Sequence, residues 1–123
     1  MIDNEAAVTE TISHMLDQLG YHTVTCNSSI HALSLFSENP SGFELVITSI
    51  FMPEMSGLEI AEKIRMAQPG VPIVIITGND KEIDRKQMEL SEIRAVLVKP
   101  VAFSELAAVI RKALYQNPSG KTS

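Results

Sequence analysis

The sequence of 123 residues has one cysteine, no tryptophan and no long apolar run. The lone Cys26 excludes an internal disulfide and fits a reducing compartment, and its apolar-alternating surroundings predict a small buried strand residue. No stretch approaches the roughly 20 apolar residues that span a bilayer, and the start lacks the basic region and apolar core of a signal peptide. We therefore expect a soluble, cytoplasmic protein without a membrane partner.

Positive charge is also scarce, since 10 Lys and Arg stand against 15 Asp and Glu, giving a formal net charge of -5 at pH 7. The basic residues form no cluster, which argues against nucleic acid as a direct partner. A chain of this length that is 45% hydrophobic can bury about two-thirds of its unfolded surface around one core. We predict one domain over residues 1–115 and a polar tail or linker over residues 116–123.

Strand and helix patterns alternate along the chain. Four stretches predict strands, namely Tyr21–Cys26, Phe43–Thr48, Val71–Thr77 and Ala95–Val98. Apolar residues at helical spacing lie before, between and after them, and a polar helix is expected from about Asp80 to Leu90. Strict alternation implies right-handed crossovers and a parallel sheet covered on both faces. The predicted fold is α/β, a doubly wound, five-stranded parallel sheet of flavodoxin-like type, whose sites form at the carboxyl ends of the strands.

The first strand of this sheet is too short. Only Met1 and Ile2 precede the acidic turn Asp3-Asn4-Glu5, where about five strand residues would normally stand. A missing central strand leaves backbone groups of its neighbours unpaired, at roughly 1 to 3 kcal/mol for each buried group. We expect the true chain to begin upstream of residue 1, and the alternative is repair by rearrangement or strand exchange.

Four landmarks fall at the carboxyl edge of the predicted sheet. Ser49 ends a strand and is followed by the loop Met52-Pro53-Glu54-Met55-Ser56-Gly57, which closely resembles the loop after the third strand of response-regulator receiver domains. The other three are the acidic turn from Asp3, Thr77 at the end of the fourth strand, and Lys99-Pro100 at the end of the fifth. Each is weak alone, but together and in this order they identify a receiver-like domain.

The resemblance implies a site for phosphoryl transfer from a phosphohistidine to an aspartate, with Mg²⁺ held by oxygen ligands. Asp3 would bind the metal largely through water, Asn4 and Ser49 occupy the two positions of direct carboxylate ligands, and the Phe51 carbonyl completes the set. Because Asn4 and Ser49 are neutral, we expect Mg²⁺ to bind weakly at most. Ser49 stands at the phospho-acceptor position itself.

The resemblance assigns Thr77 and Lys99 to contact with the phosphoryl group. In the absence of that group, Lys99 has the option of pairing with Asp3 across the sheet edge. The Lys99-Pro100 peptide bond is commonly cis in the family. Val96 stands where receivers that couple the pocket to their output face usually have Tyr or Phe, so we expect that coupling to be muted.

Ser49 lacks the chemistry of the usual acceptor. A hydroxyl must lose its proton before it attacks, and no base is adjacent in sequence, since His14, His22 and His31 fall on other predicted elements. No Gly-x-Ser-x-Gly elbow surrounds Ser49. We therefore predict a degenerate receiver that is not phosphorylated at the usual site and is not an enzyme.

The expected partner is a histidine kinase or phosphotransfer protein, and the sequence looks most like the receivers attached to hybrid sensor kinases. A natural pseudo-receiver competes with a phosphorylatable receiver whose acceptor was replaced by design, and Asn4 favours the first because silencing the acceptor needs no second change. The rival class is a phosphorylation-independent interaction or dimerisation module. A flavin-binding flavodoxin ranks third, because the turn from Asp3 would repel a phosphate.

A homodimer or partner contact is predicted on the fourth helix, fifth strand and fifth helix. The fourth helix carries both signs of charge, on Lys81, Glu82, Asp84, Arg85, Lys86 and Glu89. It also carries the apolar residues Ile83, Met88 and Leu90, which one narrow stripe cannot all bury. A solvated helix with an ordinary core stripe is the alternative.

Overall fold

The computed structural model describes residues 1–79, 84–90 and 92–115. The helices are α1 (Ala6–Gln18), α2 (Ser29–Glu38), α3 (Gly57–Ala67), α4 (Arg85–Leu90) and α5 (Phe103–Tyr115), with a 3-10 turn at Pro40–Gly42. The strands are β1 (Val46–Ser49), β2 (Ile73–Thr77) and β3 (Ala95–Val98). The predicted tail at 116–123 lies outside the described residues.

The three strands form a parallel sheet in the order β1-β2-β3. Ile2 extends the sheet on the β1 side through parallel bridges to Thr48 and to Cys26. The order across the sheet is therefore Cys26, Ile2, β1, β2, β3. The start of the chain lies between Cys26 and β1. The doubly wound α/β architecture is confirmed.

Two of the five expected strands are reduced to single bridges in the described chain. Ile2 stands for the short first strand, and within the expected strand Tyr21–Cys26 only Cys26 forms a bridge. The cause is the shortage of pairing partners, because a strand is stabilised by the neighbour to which its backbone bonds. The Met1 nitrogen bonds to Val24 and the Asp3 N–H to Cys26, and in the part of the chain that the structure describes no strand is paired with the backbone before Val24.

Two hydrophobic cores lie on opposite faces of the sheet. One contains Phe36 of α2 and Ile60 and Ile64 of α3, and the other contains Ile12 of α1 and Ile110 of α5. Strand side chains alternate between the two cores, as the pleat of a strand requires. The helices thus cover both faces, and the polar carboxyl edge of the sheet is left accessible.

The fourth helix runs over Arg85–Leu90 in the described residues. Asp84 precedes it, and its carboxylate accepts from the Lys86 N–H at 2.9 Å. The predicted start of this helix, near Asp80, lies outside the described part of the chain, which omits residues 80–83. None of the helices in the described residues is both long enough and apolar enough to cross a bilayer.

Candidate functional site

The carboxyl edge of the sheet brings together the side chains singled out in the sequence. Ser49 ends β1 and its N–H donates to the Ile2 carbonyl at 2.8 Å, just before Asp3. Thr77 ends β2, and its carbonyl accepts from the Lys99 N–H at 2.8 Å. An ion pair between Lys99 and Asp3 joins the two ends of this edge, so four of the predicted site residues share one locality.

Asp3 is fully buried and held from several sides. One carboxylate oxygen accepts from the Glu5 N–H at 2.9 Å, and the other lies 2.9 Å from the Lys99 ammonium. The Asp3 carbonyl accepts from the Asn27 amide at 2.8 Å, which also reaches the Thr9 hydroxyl. The second carboxylate oxygen has no other hydrogen-bond partner among the described residues. The ion pair with Lys99 therefore compensates its burial.

The Lys99 ammonium forms ion pairs with two acidic side chains. It lies 2.9 Å from Asp3 and 3.4 Å from Glu5, and the Lys99 side chain is 25% exposed. Lys99 does pair with Asp3, an option that the sequence left open, and the peptide bond to Pro100 is cis. A buried carboxylate loses its solvation on folding, so the nearby ammonium compensates a charge that water cannot reach.

Ser49 is buried, and its hydroxyl donates to the Phe51 carbonyl at 3.3 Å. The three histidines are exposed, His14 on α1, His31 on α2 and His22 in the segment before Cys26. No histidine is hydrogen-bonded to Ser49 in the described chain. Among the described residues, the Ser49 hydroxyl therefore has the Phe51 carbonyl as hydrogen-bond acceptor and no histidine bonded to it that could remove its proton.

Thr77 is buried at the end of β2. Its hydroxyl donates to the Asn79 carbonyl at 3.0 Å and accepts from the Asn79 N–H at 3.2 Å, so the side chain braces the turn that follows the strand. Val96, in register with Ile75 of β2, is half-buried in β3. Val96 is aliphatic and has no aromatic ring that could change rotamer, and its strand is paired with the strand that ends at Thr77.

The donors present do not fit the carboxylate-rich set that Mg²⁺ prefers. Asp3 is the one carboxylate of the predicted set, and Lys99 already neutralises it. The Phe51 carbonyl is a neutral ligand that also accepts from the Ser49 hydroxyl, and Asn4 is exposed and neutral. In residues 1–79, 84–90 and 92–115, no three His, Cys, Asp or Glu side chains are grouped so that they could hold a metal ion.

Glu54 has a role that the sequence did not indicate. Its carboxylate accepts from the Ser29 N–H at 3.0 Å and from the Ser28 hydroxyl at 3.1 Å, at the first turn of α2. The Ser29 hydroxyl returns a bond to the Met55 carbonyl at 3.0 Å. A carboxylate is favourable at a helix N-terminus, where N–H groups lack partners. The loop after Ser49 is thereby tied to α2.

The same loop closes on itself at Gly57. The Gly57 N–H donates to the Ile50 carbonyl at 2.8 Å, and a Cβ added at Gly57 would collide with the Ser49 carbonyl oxygen. Glycine is therefore needed here for close backbone approach. Gly57 is the final glycine of the Met-Pro-x-Met-x-Gly motif, and its close approach to the Ser49 backbone explains why a glycine stands there.

Comparison with known proteins shows the family of this chain. The family model for the response regulator receiver domain matches residues 1–111. A CpxR homolog, a transcriptional regulatory protein of Haemophilus influenzae, is 30% identical over 120 residues, covering 97% of this chain and 51% of that protein. The transcriptional regulatory protein GlrR of Escherichia coli is 28% identical, covering 95% of this chain and 26% of that protein. The chain spans about half the length, or less, of these relatives.

Solved structures show the same fold. A response regulator receiver domain protein from Clostridium thermocellum superposes with a TM-score of 0.83 at 31% identity, covering 92% of this chain and 90% of that chain. The receiver domain of NtrX from Brucella abortus gives a TM-score of 0.84 at 22% identity, covering 94% and 97%, and shows the likeness of fold. With the family model matching nearly the whole chain, this protein belongs to the response regulator receiver domain family.

Proposed function

We propose that this chain is a degenerate receiver of two-component signalling, which binds its partner without being phosphorylated at the usual position. The observation that carries the proposal is Ser49, a neutral hydroxyl at the end of β1 where receivers have the acceptor aspartate. An acyl phosphate forms on a carboxylate, and a serine without a base does not replace it. On this account the domain is a binding module and not an enzyme.

The charge balance of the pocket supports the same proposal. In a receiver that accepts a phosphoryl group, a lysine ammonium and a metal ion compensate the incoming negative charge. Here Lys99 is bound to Asp3 and Glu5, and Asn4 contributes no charge. The Asp3 carboxylate is therefore already compensated by Lys99, and we propose that Mg²⁺ binds no tighter than the millimolar range.

The test is to restore the missing carboxylates. The double variant Ser49→Asp, Asn4→Asp should gain Mg²⁺ binding and reactivity with beryllofluoride, because Thr77 and Lys99 already stand at the edge. NMR shift changes of the Thr77 and Lys99 amides would report both events, and the native chain under the same conditions is the matched control. A double variant that is folded and remains silent would refute this assignment of the site.

We further propose a histidine kinase or phosphotransfer protein of the cytoplasm as partner, in a system of the hybrid sensor kinase type. The neutral residue at Asn4 favours natural degeneracy over an engineered acceptor. Such a receiver offers no acceptor for a phosphoryl group carried by the partner, so the affinity should not depend on the partner's own phosphorylation. Equal affinity for the phosphorylated and unphosphorylated partner, measured by calorimetry, is the expected result, and a large difference would contradict it.

A second contact is proposed on α4, β3 and α5, where this receiver would form a weak dimer. Arg85, Lys86 and Glu89 are exposed on α4, and Val98 of β3 is 39% exposed. Opposite charges on one face suit a two-fold interface, in which each patch meets its own copy. The double charge reversal Arg85→Glu, Lys86→Glu should weaken association in sedimentation, whereas Lys63→Glu on α3 should not. An unchanged sedimentation profile for the first variant would refute this face.

A further inference from the structure

The turn that ends α4 has the hydrogen bonds of a Schellman motif. The Ile93 N–H donates to the Met88 carbonyl at 3.0 Å, and the Glu92 N–H donates to the Glu89 carbonyl at 3.1 Å. These two bonds close a helix when the residue just beyond its end adopts the left-handed conformation, and that residue is usually glycine. In this protein the left-handed residue is Glu92, with a φ of 56°.

The same motif ends α1, and there the left-handed residue is a glycine. The Tyr21 N–H donates to the Leu16 carbonyl at 2.9 Å, the Gly20 N–H donates to the Asp17 carbonyl at 3.0 Å, and Gly20 has a φ of 91°. Glycine adopts this conformation without steric cost because it has no Cβ. Among the described residues, Glu92 is the one residue other than glycine that has a positive φ. We therefore look to its side chain for what holds it in this conformation.

The Glu92 side chain reaches α3. Its Oε2 accepts from the Arg65 guanidinium at 3.1 Å, and Arg65 lies in the last turn of α3. The Arg65 side chain is only 33% exposed, and its Nε is buried without a hydrogen-bond partner among the described residues. The guanidinium therefore lies against the protein, and its outer nitrogen meets the carboxylate. A glycine at position 92 would suit the turn but could not make this contact.

We propose that Arg65 and Glu92 form a conformational latch, in which the ion pair keeps Glu92 left-handed and so holds the end of α4 on α3. A left-handed residue with a side chain costs about a factor of ten in an equilibrium constant. A partly exposed ion pair returns up to about a factor of five. Because the two effects are similar in size and opposite in sign, a small change decides whether the turn is closed. Loss of the ion pair lets Glu92 leave the left-handed region, which breaks the bonds to the Met88 and Glu89 carbonyls.

The latch gives α4 a conformational control that does not pass through Ser49. Glu92 lies three residues before β3 begins at Ala95, whereas Lys99 follows the other end of that strand. Arg65 and Glu92 thus lie toward the amino end of β3, and neither contacts the carboxyl edge in the described part of the chain. The proposal is therefore independent of the proposed function.

The experiment compares two substitutions of the same residue. Glu92→Ala removes the carboxylate and keeps a side chain at the left-handed position, whereas Glu92→Gly removes the carboxylate and the backbone strain together. The readout is the exchange of the Ile93 amide with water, measured by NMR and corrected for the intrinsic rate of each sequence. We expect Glu92→Ala to speed this exchange about threefold, because the ion pair no longer offsets the strain. Glu92→Gly should not speed it, although it loses the same ion pair.

Arg65→Met tests the other member of the latch. Methionine keeps an apolar stem and removes the guanidinium, so exchange of the Ile93 amide should rise about as much as in Glu92→Ala. Added to Glu92→Gly, Arg65→Met should have no further effect, since no strain remains to be offset. Lys63→Met is the matched control, because Lys63 is exposed on the same helix, and it should leave the exchange unchanged. Unchanged chemical shifts of the β2 amides would show that each variant keeps the fold.

Three results would overturn the proposal. Equal exchange of the Ile93 amide in Glu92→Ala and Glu92→Gly would show that the ion pair offsets no backbone strain. Exchange in Arg65→Met no faster than in Lys63→Met would show that Arg65 does not hold the turn. An equal effect of Arg65→Met with and without Glu92→Gly would show that Arg65 acts otherwise than through Glu92. All variants keep the Ser49 edge and are measured without Mg²⁺ or beryllofluoride, so failure here is distinguishable from failure of the proposed function.

Discussion

Replacing Lys99 by methionine should cost far more stability than an ordinary surface substitution. Methionine keeps the length of the stem and removes the charge, so Asp3 retains only the Glu5 N–H beside its carboxylate. Asp3 is fully buried, and leaving one member of a buried ion pair without its partner costs about 3 kcal/mol, the low end of the range because the Lys99 ammonium is partly exposed.

Urea unfolding followed by circular dichroism measures this loss. With a slope of about 1.5 kcal/mol per molar urea, Lys99→Met should lower the midpoint by about 2 M. Lys63→Met is the matched control, since Lys63 is exposed on α3 and its loss should change stability by no more than about 0.5 kcal/mol.

A double-mutant cycle separates the ion pair from the packing of the lysine stem. Asp3→Asn alone should cost about 1 kcal/mol, because the Lys99 ammonium can still reach water. Asp3→Asn combined with Lys99→Met should be more stable than Lys99→Met alone, because no buried charge remains. Two results would refute this prediction: a urea midpoint for Lys99→Met no lower than that of Lys63→Met, or losses of unfolding free energy for Asp3→Asn and Lys99→Met that simply add in the double variant.

Two further predictions concern the loop after Ser49. Gly57→Ala should lower stability by about 2 kcal/mol, because the added Cβ meets backbone that cannot move aside cheaply, whereas Gly78→Ala adds a Cβ with no atom within 4 Å and should change little. Equal urea midpoints for the two variants would contradict this. Glu54→Ala should cost about 1 kcal/mol and speed hydrogen exchange of the Ser29 amide, which loses its acceptor. Glu62→Ala on the exposed face of α3 is the control, and an unchanged Ser29 exchange rate would show that the loop is not tied to α2 through this carboxylate.

The parts of the fold that follow local rules were predictable from the sequence. The apolar run Val71–Thr77 predicted a strand buried on both faces, and β2 is such a strand at the middle of the three-stranded sheet. The proximity of Thr77, Lys99 and Asp3 followed from topology, because carboxyl ends of parallel strands meet at one edge. Their ordered motifs therefore predicted, before any distance was known, that these three residues lie together.

Features that depend on distant pairing were not predictable. The segment Tyr21–Cys26 has strand composition, yet among the described residues only Cys26 of this segment forms a bridge, to Ile2. The contact of Glu54 with Ser29 joins residues 25 positions apart, and no periodicity marks it. The Asn27 bond to the Asp3 carbonyl is of the same kind. Such contacts arise from the packed fold, and residue type alone does not indicate them.

We propose that Ser49 does not accept a phosphoryl group, although Asp3, Thr77 and Lys99 lie at the same edge of the sheet. The most direct measurement is the intact mass of the native chain after incubation with acetyl phosphate and Mg²⁺, beside the Ser49→Asp, Asn4→Asp variant treated in the same way. The account predicts no mass increase for the native chain and an increase of one phosphoryl group for the variant. A phosphoryl group on the native chain, mapped to Ser49, would contradict it.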